Sequence, residues 1–412
     1  MQEPMTTAPA MELPPQAIDQ LVEALRAYHA SYRPLLQRRE QRAGAAPSLH
    51  GLWLDIPRKS IEPMVLALAG PKATAVRTRP LLISAGAWDD EGRRHRPWQE
   101  GDTSLGEDDG GRTVAGSAFL QPGQASVGVK RPDGGAVGTR AHGQAGVSVG
   151  DARRQGAPVL ERRRSLPPAW VEDEAYAERR RRCGVPPTVT LKTKPMLGWE
   201  MIQAGCRAGT LRARWVAWDE AFGRDPTLLD HIACLGLWSF AEVPHDTQGW
   251  RQRPATAGPA WGGRGRQPTR ARVVAGAPTP QTGGMVAESW PAEDWARHRI
   301  QEGSQGPIGA DGAARRVIAL REGWPGPEGW LVRRRPLVTG ALQTSRWNAP
   351  ADTPVATLGR LSGRRWPIET CGADGKPSLG MGDEAGRGWR GWPHPLPLWM
   401  LAHFLLVRGG LR

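Results

Sequence analysis

Apolar side chains recur at helical spacing near the start of the chain. Ile18, Leu21, Val22, Leu25, Tyr32 and Leu36 predict an amphipathic helix over 16–41, interrupted near Pro34. Ile61, Val65, Leu66 and Leu68 predict a second helix from about 60. These two form a small N-terminal helical region over 16–82, behind a flexible tail at 1–15. The segment 83–112 is polar and Gly-rich. A weak strand follows at Thr113-Val114-Ala115. Short alternations at 126–129 and 146–149 predict an antiparallel strand pair.

Further on, 170–183 reads as a charged helix, 190–193 as a short strand and 196–208 as a helix. The apolar run Arg214-Trp215-Val216-Ala217-Trp218 reads as a buried strand ending at Asp219. A helix over 226–235 follows, with Asp225 as its N-cap and Pro226 in its first turn. Another strand occupies 238–243. This strand–helix–strand rhythm predicts an α/β sheet. Residues 246–290 show little periodicity and read as loop. Strands are expected at 297–300, 316–320 and 330–334. Helices are expected from 353, from 367 and over 396–407.

Composition tempers this picture. Hydrophobic residues make up 39% of 412, and Gly (52) with Pro (38) approach a quarter of the chain, near the level at which disorder competes with folding. Trp (19) far outnumbers Tyr (3) and Phe (4), so the core must lean on Trp, Leu, Val and Ala. The net charge is +14, and all but six of the 55 basic residues are arginine. Guanidinium groups grip phosphate oxygens with two prongs, so a polyanion is a natural partner. A GC-rich coding sequence would raise Arg, Gly, Pro and Ala together, and is the competing explanation. The four cysteines form no C-x-x-C pair, which argues against a zinc ribbon or a disulfide framework. Neither a leader pattern nor a membrane-length apolar run occurs. The expectation is a cytoplasmic, nucleoid-associated protein.

Two patterns carry candidate chemistry. Arg365-Trp366-Pro367-Ile368-Glu369-Thr370-Cys371 followed by Lys376 has the spacing R-x3-E-x6-K. On a helix these three charges share one face. A carboxylate between two cations suits a metal ligand beside DNA phosphates, and equally suits a solvated face with an i,i+4 ion pair. Asp219, just past a buried strand, stands where open α/β sheets place functional groups, and it suits a helix N-cap equally well.

Taken with the strand at 238–246, these motifs resemble the DDE transposases of bacterial insertion sequences, in the branch with a Tyr-Arg-Glu-Lys signature. Leu54-Asp55-Ile56-Pro57-Arg58-Lys59-Ser60-Ile61-Glu62-Pro63, Cys183-Gly184-Val185-Pro186, Arg224-Asp225, Gly263-Arg264-Gly265-Arg266, Asn348-Ala349-Pro350-Ala351-Asp352-Thr353-Pro354 and Gly388-Trp389-Arg390-Gly391-Trp392 match that group in order. The resemblance implies an α/β fold: an RNase H-like mixed sheet flanked by helices, with a β-rich insertion. The core then occupies 83–245, the loop-rich β insertion 246–350, and a C-terminal helical part 351–412 carrying Glu369. The implied chemistry is two-metal phosphoryl transfer on double-stranded DNA with Mg2+ or Mn2+. Asp219 and Glu369 would be catalytic metal ligands. Arg58, Lys59, Arg365 and Lys376 would hold DNA. Terminal inverted repeats and target DNA would be the partners, a dimer in a synaptic complex the working form, and Trp330 and Trp347 candidates for stacking on a displaced base.

The chain departs from that pattern where it matters most. Ala115 stands at the first-Asp position, Ser362 at the signature tyrosine, and Arg112 and Gly111 where apolar residues would pack. Asp108 and Asp109 lie about 20 Å away along an extended strand. Gly309, Gly312, Gly329 and Gly359 interrupt expected strands and helices. The expectation is a degenerate, inactive transposase. The alternatives are a non-catalytic DNA-binding protein on the same scaffold, and a largely disordered basic chain.

Overall fold

The computed structural model describes residues 110–121, 126–130, 142–152, 158–258, 263–264, 271–303, 306–337 and 340–364, with 388–389, 399–400 and 402–403 near the end. Before residue 110 it describes 16, 23, 26–27, 29–30, 33–35, 39, 42, 47, 50–54, 56–57, 59, 61–70 and 97–99. Helix α1 is Ile61–Ala69, followed by Gly70 at positive φ, the usual conformation for a residue just past a helix end.

Strands β1 (Gly111–Gln121), β2 (His142–Ala152) and β3 (Val159–Ser165) form an antiparallel meander. The short helices α2 (Pro168–Glu172) and α3 (Ala177–Arg182) follow, then α4 (Lys194–Arg207), capped by Thr193 through its side chain. Strand β4 (Trp215–Trp218) lies parallel to β1. Helices α5 (Glu220–Gly223) and α6 (Pro226–Cys234) lead to β5 (Trp238–Glu242), parallel to β4. Then come β6 (Gln248–Trp250), β7 (Thr256–Ala257), β8 (Arg272–Val273), β9 (Gln281–Thr282), α7 (Gly283–Glu288), β10 (Ala296–Gly303), β11 (Gly306–Arg321), β12 (Trp324–Pro336), β13 (Gln343–Trp347) and α8 (Val355–Ser362).

Eleven of these strands make one mixed sheet in the order β3-β2-β1-β4-β5-β13-β12-β11-β6-β9, with β10 beside β11. This is the RNase H-like arrangement expected from the resemblance. Most strands of the 246–350 stretch extend the same sheet through β13, which pairs with β5, while β7 and β8 pair with each other in a separate two-stranded sheet. Alternate residues of the central strands feed two cores, as the period of two requires. On one face Val114, Val216, Trp218 and Ala241 pack under α4 and α6 with Trp98. On the other, Trp215, Ala217, Phe240, Trp330 and Trp347 pack with Leu358 and Leu361 of α8. Among the described residues, no helix is long and apolar enough to cross a membrane.

Several expectations change. The weak strand at 113–115 is the middle of an 11-residue strand. Residues 126–129 form a buried turn instead of a strand, held by Gln144 Nε2 to Val127 O at 2.6 Å and Trp170 Nε1 to Val129 O at 3.1 Å. Residues 190–193 are not a strand, because Thr193 opens α4. The helix expected over 170–183 is broken at Asp173, whose carboxylate accepts from the Ala175 amide. Strand β3 was invisible because charges fill it: Glu161 accepts from Trp98 Nε1 at 3.1 Å and from Arg163 Nε at 2.8 Å.

The glycines and Arg112 also change meaning. A Cβ on Gly329 would lie 2.5 Å from the Trp347 carbonyl, and one on Gly359 would overlap the His298 ring. Both are therefore close approaches that exclude a side chain. Arg112 is fully buried but pairs with Asp151 on the neighbouring strand at 2.7 Å, with Trp98 5.7 Å away. Trp330 and Trp347 are core residues. Trp330 Nε1 donates to the Pro350 carbonyl at 3.0 Å and Trp347 packs 4.3 Å from Phe240, so neither ring is available to a base.

Candidate active site at the ends of strands β1 and β4

The parallel register of β1 and β4 runs from Gly111 beside Trp215 to Val114 beside Trp218. One step further, Ala115 and Asp219 lie side by side where β4 ends. The sequence sets this meeting: four buried residues carry β4 through the core, and Asp219 then turns the chain. Its Oδ1 accepts from the amides of Ala221 at 2.9 Å and Phe222 at 3.3 Å. Its Oδ2 accepts from the Gly116 amide of β1 at 3.4 Å. The N-cap reading of Asp219 holds: it caps the short α5, and it lies beside the end of β1 that carries Ala115.

Cations crowd this end of the sheet. Lys194, in the first turn of α4, is exposed, and its Nζ lies 3.6 Å from where a Cβ on Gly116 would stand. Lys192 Nζ and Arg163 Nη1 both hold Glu200, at 2.7 and 3.0 Å. Arg162 is buried and donates through Nη2 to Ser117 Oγ at 2.6 Å. Desolvation lowers its pKa to about 9. Arg164, also desolvated and lowered to about 9, lies near the Cys183 thiol, which burial pushes upward.

Lys194, Ser148 and Arg162 also lie at this end of the sheet. Lys194 carries a local signal in the sequence, a lysine just inside a Thr-capped helix. The others carried none, because the pairing of β1, β2 and β3 is what brings them here. Of the residues the sequence assigned, Asp219 and Ala115 meet. Lys59 is buried, and its Nζ donates to the Leu52 carbonyl at 2.8 Å. Arg58, Arg365, Glu369 and Lys376 lie outside the described residues.

As a metal centre, the described part is incomplete. Asp219 offers one carboxylate, already accepting three amide protons, beside a methyl group that has no lone pair. Glu242, the last residue of β5, was passed over in the sequence. It ends the strand next to β4, but among the described residues no group of three or more His, Cys, Asp or Glu is placed to hold a metal ion. These residues alone do not fit a pair of divalent ions.

No curated protein matches the chain. Among solved structures, the NurA nuclease from Sulfolobus solfataricus aligns with 63% of this chain and 76% of its own, at 10% identity and a TM-score of 0.26. That likeness is too slight to bear on fold or function. The family model for DDE superfamily endonucleases matches residues 31–307, a stretch holding both Ala115 and Asp219 and ending before Glu369. With two thirds of its length matched, the chain belongs to the DDE superfamily endonuclease family.

Proposed function

We propose that this chain is a transposase by descent, built to cut and transfer DNA strands at the ends of an insertion sequence, and that it does not cut as it stands. One observation carries the reading: Ala115 stands beside Asp219 at the adjoining ends of two parallel strands, bridged by the Gly116 amide. Enzymes of this family use divalent metal ions held by carboxylates. Asp219 and Glu369 are the chain's candidates for Mg2+ or Mn2+, and the methyl of Ala115 contributes no ligand. What this chain's residues do without a complete metal site is bind DNA. The arginine excess supplies the long-range attraction, and Lys194 supplies a point charge at the strand ends.

The test is cleavage of DNA carrying the element's ends in Mg2+ or Mn2+. The unchanged chain is expected to bind without cutting. Ala115→Asp is expected to cut at least about 100-fold faster, since metal stabilisation is worth several kcal/mol and each 1.4 kcal/mol is tenfold. Adding Asp219→Asn to that variant should abolish the gain. Strong cutting by the unchanged chain would overturn the inactive reading, and failure to bind DNA would overturn the whole. Lys194→Ala should weaken binding uniformly across sequences and flatten the salt dependence by about one unit of slope. An unchanged slope in a salt titration would remove Lys194 from the interface.

A further inference from the structure

Strands β12 and β13 place Leu331 directly opposite Arg346 and Arg333 directly opposite Thr344. Opposed residues project from one face, and so do residues two apart on a strand. All four therefore lie on the face where Leu331 packs with Val317 and with Val286 of α7. A recess of about 250 Å3, partly open to solvent, enters this face. Gln248 and Gln281 of the β6·β9 pair, Gly283 and Val286 of α7, and Arg346 line it. Its enclosed part is about the size of one water molecule, so it admits the oxygens of one small group and excludes a base or a sugar. Among the described residues no carboxylate pairs with Arg346. Burial lowers its pKa to about 10, and the charged neighbour that acts on it is Arg321, a second cation. Beside it, Arg333 and Thr344 are 6% and 5% exposed. Arg333 Nε and Nη1 and Thr344 Oγ1 are shielded from solvent and have no hydrogen-bond partner, a state that folded proteins seldom tolerate. Thr344 Cγ2 lies 3.6 Å from where a Cβ on Gly283 would stand, so this residue adjoins the recess. Two guanidinium groups and a hydroxyl in want of an acceptor thus lie together on one face, and Arg346 opens into the recess.

We propose that this recess is an oxyanion site in which Arg346, backed by Thr344 and Arg333, holds a phosphate group. A guanidinium offers two parallel donors to two phosphate oxygens, and the hydroxyl offers a third donor. Arg346 and Arg333 stand diagonally across the β12·β13 ladder, a spacing of about 7–8 Å that long side chains close. A bound anion would also supply the counter-charge that Arg346 lacks. The same chemistry serves a phosphate of a DNA backbone and a free phosphate. Arg346 is directly opposite Ala241, which lies beside Trp218, the residue before Asp219. Two strand spacings, about 10 Å in all, separate it from that strand. The site needs no acid at position 115, so it and the reading of an inactive nuclease can fail separately.

Urea unfolding of the full chain in sodium phosphate and in sodium chloride at equal ionic strength tests it. Phosphate also stabilises proteins by exclusion from their surface, so the comparison that counts is with Arg346→Met. The unchanged chain should gain more from phosphate than this variant, whose phosphate binding should be at least about tenfold weaker, the loss of a hydrogen-bonded charge. In chloride Arg346→Met should be at least as stable as the unchanged chain, since it removes a buried charge without a partner. A lower stability there would mean that Arg346 already has its anion, and would sink the site. If Arg346→Met does not fold, Thr344→Val, which exchanges a hydroxyl for a methyl, carries the test with a loss of about threefold or more. Equal phosphate gains in the unchanged chain and the variants overturn the proposal. Duplex DNA then identifies the source. Weaker duplex binding by Arg346→Met, with phosphate competing less well against it, assigns the site to a backbone phosphate. Phosphate binding with no change in duplex affinity assigns it to free phosphate.

Discussion

Asp151→Ala is expected to destabilise the protein by about 3–5 kcal/mol, the usual cost of leaving a buried charge without its partner. Asp151 and Arg112 are directly opposite one another in the β1·β2 ladder, both side chains are 0% exposed, and Arg112 Nη1 donates to Asp151 Oδ1 at 2.7 Å. Truncating the carboxylate removes the counter-charge of a guanidinium held inside the sheet, two residues from the core valine Val114. Replacing both partners, Arg112→Met with Asp151→Leu, should recover most of the loss, since well-packed apolar pairs often match buried ion pairs. Urea unfolding with an unchanged slope would measure both effects. A loss below about 1 kcal/mol for Asp151→Ala would place the pair in contact with water and class it with surface ion pairs. The pair also bears on the reading of β1. An arginine in a central strand looks like damage until the neighbouring strand is seen to carry its counter-charge.

That example shows what was legible and what was not. Asp219 at the end of a buried strand could be read directly, because four consecutive apolar residues leave few alternatives to a central strand. The helix over 226–235 was legible for a similar reason, since Asp225 and Pro226 are local signals. The length of β1 was not, because Gly111, Arg112 and Gly116 break the apolar run and each is explained only by a partner remote in sequence. Gly111 meets Trp215, Arg112 meets Asp151, and the Gly116 amide meets Asp219. Strand β3 stayed hidden because Glu161, Arg162, Arg163 and Arg164 carry no period-two signal. Position 115 was legible by resemblance alone. The row that joins it to Ser148 and Arg162 exists only through strand pairing, Ala115 with Ser148 (148 − 115 = 33 residues on) and Ser148 with Arg162 (162 − 148 = 14 further).

Trp215→Ala is expected to be about as costly, 3–5 kcal/mol, because it removes a fully buried indole from the core beneath α8. The reason lies in how this chain uses its abundant Trp and Gly. Trp215 and Gly111 are register partners, and a Cβ built on Gly111 would fall inside the indole. The pattern recurs where Gly198 lies against Trp218 and Gly205 against Trp98, at 3.0 and 3.1 Å from a Cβ to the ring. Large rings therefore occupy volume that the glycines leave open, and a composition that suggested looseness corresponds to tight packing. Gly111→Ala alone should destabilise by about 1–3 kcal/mol through overpacking. Combined with Trp215→Ala it should cost less than the two losses added, because the new methyl enters the space the ring vacated. Thermal or urea unfolding of the four proteins gives the coupling. Simple additivity would mean that Gly111 and Trp215 do not share that volume, and the tight packing inferred for the sheet centre would then have no support at its most crowded point.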